Sequence, residues 1–297
     1  MRNRMLLWLL LGGGAFVLLL IVALSLVLAY GGSDNGDFAF SNRIQVVDIE
    51  GVLSDSRPII EQLKRYEDSK SVPAILLNVD SPGGGVAASQ EIYTEIKRLR
   101  EKKHKIVVAY MSSVGASGAY YVSCPADKII ANPGTIVGSI GVIAEWVNYG
   151  DLFQWAKLKD VTFKTGEFKD TGSPTRPLTD REKEYFQGLI DEMYVDFVDA
   201  VATGRKMDVE AVRAIADGRV FTGRDAKEKK LIDEIGNFQD AVDQTAMLAG
   251  ITGKPNLLRP VRERVTVMDL LTGDVSKLNL MGAQPFKSQV QFQYLWK

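Results

Sequence analysis

Residues 43–144 repeat one local pattern, and this repetition limits the possible folds more than any other feature: an apolar run of strand length, a glycine-rich break, then helical spacing. Ile44, Val46, Val47 and Ile49 predict a strand over 43–50 that Gly51 ends or bends. Ile60, Leu63 and Tyr66 share a helical face and predict a helix over 59–66, whereas 74–79 is the unbroken apolar run of a strand buried on both sides. Pro82-Gly83-Gly84-Gly85 breaks the chain before a helix carrying Ile92, Ile96 and Leu99. The pattern recurs as a strand over 106–110, a turn over 112–115 and a short helix over 116–123, with further strands at 128–131 and 140–144. Strand, glycine turn and helix in this order imply an α/β fold of crossover units.

The second half is helical. Thr179 and Glu182 have capping-box spacing, and Phe186, Leu189, Ile190, Met193, Phe197 and Val201 keep helical period to residue 203. Shorter helices are expected over 209–216, 222–230 and 238–249. Pro255 marks a boundary, and prolines and glycines interrupt every candidate element beyond it, so 255–297 reads as a poorly specified tail. Its residues 290–296 nonetheless alternate apolar and polar side chains, as in a strand that adds to a sheet edge of the same or another subunit.

From Met5 to Tyr30 there is no charged residue, and 6–29 are almost wholly apolar. About 20 such residues cross a bilayer, and the run exceeds the usual 7–15 or so of a signal peptide, which favours an uncleaved anchor. Arg2 and Arg4 precede the run and a polar, acidic stretch follows it, which puts the N-terminus in the cytoplasm and everything after residue 30 outside. Residues 31–42 read as a tether and 43–254 as the catalytic domain. With 36 basic and 37 acidic side chains, charge gives no reason to expect a nucleic-acid partner. Cys124 is the only cysteine, which excludes an intrachain disulfide and a cysteine-built metal site and suggests a buried structural thiol.

Glycine-rich turns at 81–85, 115–118 and 134–141 fall at the ends of predicted strands, where open α/β sheets bind ligands. Ser117 lies in Gly-Ala-Ser-Gly-Ala-Tyr-Tyr, among residues so small that its hydroxyl is expected to be little shielded. At the start of a helix, the N–H of Gly118 and one from Gly83 or Gly84 could cradle an oxyanion. A serine nucleophile needs an adjacent base. The only histidine, His104, sits in the charged run 100–105 and reads as a solvated helix-end residue, and Ala119 breaks the Gly-x-Ser-x-Gly hydrolase elbow. The search for a base therefore moves to lysine, which can serve if burial lowers its pKa, and Lys164 and Lys169, flanking Gly166, are the candidates.

Asp80-Ser81-Pro82-Gly83-Gly84-Gly85, residues 115–121, Gly138-Ser139-Ile140-Gly141-Val142-Ile143 and Gly166-Glu167-Phe168-Lys169-Asp170 together resemble the signal peptide peptidase A family. The match runs from Arg43 to Gly236 and includes Val220-Phe221-Thr222-Gly223-Arg224-Asp225. The resemblance implies a Clp protease/crotonase-like fold of repeated β-β-α units, with an N-terminal transmembrane helix and a helical C-terminal part. It also implies that Ser117 is the nucleophile, Lys169 the general base, Ser139 the residue that orients the lysine, and Gly84 and Gly118 the oxyanion donors. No metal or cofactor is implied. Short members of the family form rings in which the lysine reaches the serine of a neighbouring subunit, so a homo-oligomer with shared sites is expected. Asn78 and Asp80 depart from the residues common in the family.

The implied function is a membrane-tethered, extracytoplasmic Ser/Lys endopeptidase that cuts remnant signal peptides or other apolar segments, with apolar pockets for small side chains. A related protease that processes specific membrane proteins is the nearest alternative. A crotonase-like acyl-CoA enzyme would use the same N–H pair without the serine, but the outward-facing domain argues against it, and a non-catalytic membrane scaffold leaves the serine and lysine spacing without a cause.

Overall fold

The computed structural model describes residues 42–259 and 291–296, together with Leu18, Ile21 and Val22. The chain divides into two units, Met1–Ser41 and Asn42–Lys297, and the second carries every element that follows. Leu18, Ile21 and Val22 are helical and exposed. The rest of the expected anchor over 6–29, and the tether up to residue 41, lie outside the described residues, among which no helix is long and apolar enough to cross a membrane.

The first part of the domain comprises β1 (Arg43–Glu50), α1 (Arg57–Lys64), β2 (Ala74–Ser81), β3 (Gly83–Gly85), α2 (Val86–Lys103), β4 (Ile106–Ala116), α3 (Gly118–Ser123), β5 (Lys128–Ala131), β6 (Ile136–Gly138) and β7 (Ile143–Glu145). After it come α4 (Gly150–Trp155), α5 (Asp180–Arg205), α6 (Val209–Arg213), β8 (Val220–Thr222), α7 (Gly223–Glu228), β9 (Glu234–Ile235), α8 (Phe238–Leu248), β10 (Asn256–Leu258) and β11 (Gln291–Leu295). The main sheet has the order β10-β1-β2-β4-β5-β9, with β6 pairing β4 and β8. Pairing is parallel throughout except between β6 and β8.

Both faces of this sheet are covered, which is why β2 reads as a continuous apolar run. Ala74 and Leu76 turn to one side, with Val108, Ile130 and the α8 residues Ala241 and Val242. Ile75, Leu77 and Val79 turn to the other, against Ile92 and Ile96 of α2, Tyr120 of α3 and Phe197 of α5. Each such aliphatic side chain contributes roughly 1.5–3 kcal/mol by its burial. The capping box of α5 forms as expected: the Glu182 N–H donates to Thr179 Oγ1 at 3.3 Å, and the Thr179 N–H donates to the Glu182 carboxylate at 2.8 Å.

Three expectations change. The turn predicted over 112–115 is strand: Val114, Gly115 and Ala116 pair with Ile136, Val137 and Gly138, so β4 runs on to the start of α3. The strand predicted over 140–144 is replaced by β6 and β7 on either side of a loop at 139–142. The supposed tail after Pro255 supplies β10 beside β1, while the strand read over 290–296 forms as β11, between β3 and β7 in a separate antiparallel sheet.

Candidate active site

Ser117 stands at the junction of β4 and α3 with φ +53° and ψ −121°, a backbone conformation that costs a non-glycine residue on the order of 1–3 kcal/mol. The surrounding backbone holds it there. The Ser117 N–H donates to Gly138 O at 2.7 Å, and the Tyr121 N–H donates to Ser117 O at 2.8 Å. Contrary to expectation the serine is shielded, at 1% exposure. Its small neighbours allow other groups to close in: a Cβ on Gly118 would lie 2.5 Å from Ser89 Oγ, and one on Gly115 2.4 Å from Met111 Sδ.

The choice between Gly83 and Gly84 as hydrogen-bond donor follows from the ladder. The Gly83 N–H is used by Ser81 Oγ at 3.1 Å and its carbonyl accepts from the Leu53 N–H at 2.8 Å, while the Gly85 N–H donates to Leu53 O at 2.8 Å. The N–H and carbonyl of Gly84 therefore point the other way, toward β11. There the Trp296 N–H donates to Pro82 O at 2.9 Å, and antiparallel alternation makes Tyr294 and Gly84 the next hydrogen-bonded pair. The Tyr294 carbonyl thus faces the Gly84 N–H. A Cβ placed on Gly83 would lie 2.1 Å from that carbonyl oxygen, 2.5 Å from Gly118 N and 3.1 Å from Ser117 Cβ, so all four groups crowd one small space. With only six residues in α3, the individual N–H of Gly118 matters more than any helix dipole.

Ser139 follows Gly138 directly, is buried, and has φ +53°, with its N–H donating to Arg219 O at 2.9 Å. Ser117, Ser139, Gly84 and Gly118 are thus brought together at the ends of β3, β4 and β6. Lys169 is not among them. It lies in a single 3-10 turn, Glu167–Asp170, exposed, and its side chain has no hydrogen bond or ion pair among the described residues. Lys164, the other candidate, is occupied: its Nζ pairs with Asp170 and donates to Glu167 O at 3.0 Å. Arg176 fastens this turn to the start of α5, bridging Asp170 at 2.9 Å and Glu182 at 2.9 Å. Its guanidinium hydrogen bonds hold the Asp170 carboxyl well below the usual range and lower Glu182 to about 2.

The side chain of Tyr294 fills a pocket that sequence reasoning did not identify. It is fully buried, 4.6 Å from the Phe197 ring and stacked on Tyr121 at 5.2 Å, and its hydroxyl donates to Met193 O at 2.7 Å. The space beside Ser117 is thus occupied by a large aromatic ring of the chain itself. Tyr121, one helical turn after Ser117, was the signal available in the sequence. Beyond Tyr294 a cavity of about 630 Å³ opens between Ser139, Ile140, Val142, Tyr194, Leu295 and Trp296.

Residues outside this cluster have structural roles. His104 caps the C-terminus of α2 in the left-handed conformation and is exposed, as its place in the charged run suggested. Cys124 is fully buried, its Sγ donates to Tyr120 O at 3.2 Å, and burial pushes the thiol up to about 12. Asn78 donates to Asp48 at 2.8 Å, and Asp80 accepts from the Val114 N–H at 3.1 Å.

The Clp protease family model matches residues 39–128 and the Peptidase family S49 model matches residues 99–252. The fold is the Clp protease-like α/β class. A protein named as a protease in Methanocaldococcus jannaschii is 43% identical over 67% of this chain and 63% of its own length. Another in Synechocystis is 39% identical over 80% of this chain and 86% of its own, and one named as a signal peptide peptidase SppA in Enterococcus faecium is 36% identical over 69% and 63%. The chain thus covers less than two thirds of the archaeal and enterococcal relatives. It belongs to peptidase family S49.

Proposed function

We propose that the chain is a membrane-tethered, extracytoplasmic endopeptidase with a Ser117/Lys169 dyad, acting on remnant signal peptides or other apolar segments near the bilayer. One observation carries the reading: a peptide carbonyl, that of Tyr294, sits against the backbone N–H groups of Gly84 and Gly118 beside a strained serine. Ser117 Oγ attacks such a carbonyl, its proton passes to Lys169 Nζ, and the oxyanion is held by the Gly84 and Gly118 N–H groups. Lys169 returns the proton to the leaving amine, and water then hydrolyses the acyl-enzyme. The Ser139 hydroxyl orients the lysine.

Lys169 is preferred to Lys164 because it alone of the two has no side-chain partner among the described residues. The base reaches Ser117 from a neighbouring subunit of a ring-shaped homo-oligomer, whose contact would also bury the amine and favour its neutral form. The segment that carries Lys169 suits such a contact: Trp155 is 81% and Phe163 95% exposed, with Val147, Leu152, Leu158 and Val161 exposed nearby in sequence. So many apolar side chains on one segment mark an interaction surface. The anchor over 6–29 would hold the assembly at the membrane, with the N-terminus in the cytoplasm.

Subunit mixing tests both claims. Ser117→Ala and Lys169→Ala chains are each expected to be folded and inactive. Co-assembled in equal amounts they should regain about one quarter of wild-type activity, the share of sites that pair an intact serine with an intact lysine in a cyclic assembly. Full activity in Lys169→Ala refutes the dyad, and no recovery on mixing refutes the shared site.

A further inference from the structure

We propose that Ser81 is a positioning residue of the oxyanion hole: its hydroxyl ties the end of β1 to the start of β3 and thereby fixes the direction of the Gly84 N–H. This rests on the reading of Ser117 as a nucleophile served by Gly84 and Gly118, and goes beyond it by assigning a side chain that touches neither substrate nor reacting atoms. Ser81 is the last residue of β2, is fully buried, and lies beyond a register shift that sets it opposite Gly115, two residues before Ser117. Its Oγ donates to Gly51 O at 2.6 Å and accepts from the Gly83 N–H at 3.1 Å. A carbonyl only accepts and an N–H only donates, so the single hydroxyl proton goes to Gly51 and a lone pair to Gly83.

The path from this hydroxyl to the oxyanion donor is short. A trans peptide group is planar, so the Gly84 N–H points opposite to the Gly83 carbonyl. That carbonyl accepts from the Leu53 N–H at 2.8 Å, and a Cβ on Gly84 would lie 2.3 Å from Leu53 O. The Leu53 segment therefore aims the Gly84 N–H. Leu53 follows Gly51 by two residues, and Gly51 is held at both of its polar groups, the N–H by Asp80 O at 3.0 Å and the carbonyl by Ser81 Oγ. Ser81 Oγ thus bonds both parts of the arrangement: the segment that aims the donor, and the residue whose carbonyl shares the donor's plane.

The backbone of the turn does not do this unaided. Pro82 has no N–H to give, and Gly83, at φ +96°, has the widest choice of conformations of any residue type. The turn is stiff at the proline and loose at the glycine, and the hydroxyl restrains the loose side. The polar groups of Gly85 are taken as well, its N–H by Leu53 O at 2.8 Å and its carbonyl by Ser89 Oγ at 2.9 Å. Within β3 this leaves Gly84 to face the site.

The test uses the full-length assembled protein, a fluorogenic reporter peptide and two inhibitors of one apolar sequence. Ser117 Oγ adds to the carbonyl carbon of the first, a peptide aldehyde, to give a hemiacetal whose oxygen lies between the two donors; the second, the corresponding alcohol, forms no such adduct. Ser81→Ala is expected to lower kcat roughly 10- to 100-fold, less than outright loss of a donor, with KM within about threefold of wild type. It should weaken the aldehyde by the same factor and leave the alcohol unchanged. Ser81→Cys, a weaker donor and acceptor of similar shape, should fall between, and it carries the comparison if Ser81→Ala does not fold. Thr245→Val loses a buried hydroxyl bonded to Ala241 O at 2.6 Å in α8, on the other face of the sheet, and should match the wild type in kcat, which separates lost stability from lost positioning. A folded Ser81 variant with kcat within about threefold of wild type, or equal weakening of aldehyde and alcohol, overturns the inference and leaves the peptidase reading standing. Loss of folding in both Ser81 variants marks a purely structural residue and overturns it too. A wild type that neither turns over the reporter nor binds the aldehyde refutes the peptidase reading, and the inference with it.

Discussion

Gly83 carries no part of the proposed chemistry, yet one added methyl there should stop the reaction. The residue sits at φ +96°, where a side chain costs on the order of 1–3 kcal/mol in backbone strain. In Gly83→Ala the new Cβ would also meet Tyr294 O at 2.1 Å and Gly118 N at 2.5 Å, far inside any real contact. The two obstacles differ in kind. Tyr294 belongs to β11, which can leave the groove, but Gly118 N is fixed between Ser117 and α3, so relief must come from moving the backbone that carries one of the two donors. Loss of one oxyanion donor costs about 2.7–4 kcal/mol of transition-state stabilisation, or roughly 100- to 1,000-fold in kcat. Turnover of a peptide reporter, measured with a thermal melt on the same sample, should show that fall in kcat with a lowered Tm. Gly134→Ala, where an added Cβ meets nothing within 4 Å, should match the wild type in both. A folded Gly83→Ala enzyme with kcat within about fivefold of wild type would refute the placement of the oxyanion between Gly84 and Gly118.

Other expectations concern the supports of the site. Arg176→Ala should release the turn that carries Lys169, since hydrogen bonds to two carboxylates are lost together; faster amide exchange over 164–172 would report it. Because those bonds hold the Glu182 carboxyl at about 2 against an ordinary 4.5, their contribution is complete above about pH 4.5 and disappears as pH falls through 2. Amide protection over 164–172, taken relative to the intrinsic exchange rate at each pH, should thus fall across that window in the wild type, and Arg176→Ala should not show the change. Tyr120→Phe removes a buried hydroxyl that donates to Leu231 O at 2.8 Å and should lower stability by about 1–3 kcal/mol in a denaturant titration.

The parts of this architecture legible in the sequence are those set by local pattern. The apolar run of β2, the spacing of Ile92, Ile96 and Leu99, and the capping box at Thr179 are each written in a few adjacent residues, and the corresponding elements form where expected. Ser112 to Gly115 look like a turn because glycine after a strand commonly makes one, but long-range pairing with β6 decides the matter. Lys105 belongs by sequence to a solvated basic run, yet its Nζ is folded inward to donate to the Ser69 and Val72 carbonyls at 2.7 and 2.6 Å, and burial lowers its pKa. In the site, Ser117 and the glycine loops announce themselves by composition. The aromatic pocket does not, because Tyr121, Met193 and Phe197 come from two helices with no common motif and look like ordinary core residues. Nothing local brings β11 to β3 either; alternation marked it as a strand without naming its partners.

The seat of β11 also bears on what an emptied groove would be. The edges of β3 and β7 each have backbone donors and acceptors that find their partners in this one strand. Remove it, and two facing edges are left open to water, each able to pair with any extended chain whatever its sequence. Main-chain pairing of this kind holds a peptide without reading it, so discrimination falls to the side chains. The small antiparallel sheet therefore depends on one strand far along the chain: without β11, β3 and β7 share no pairing.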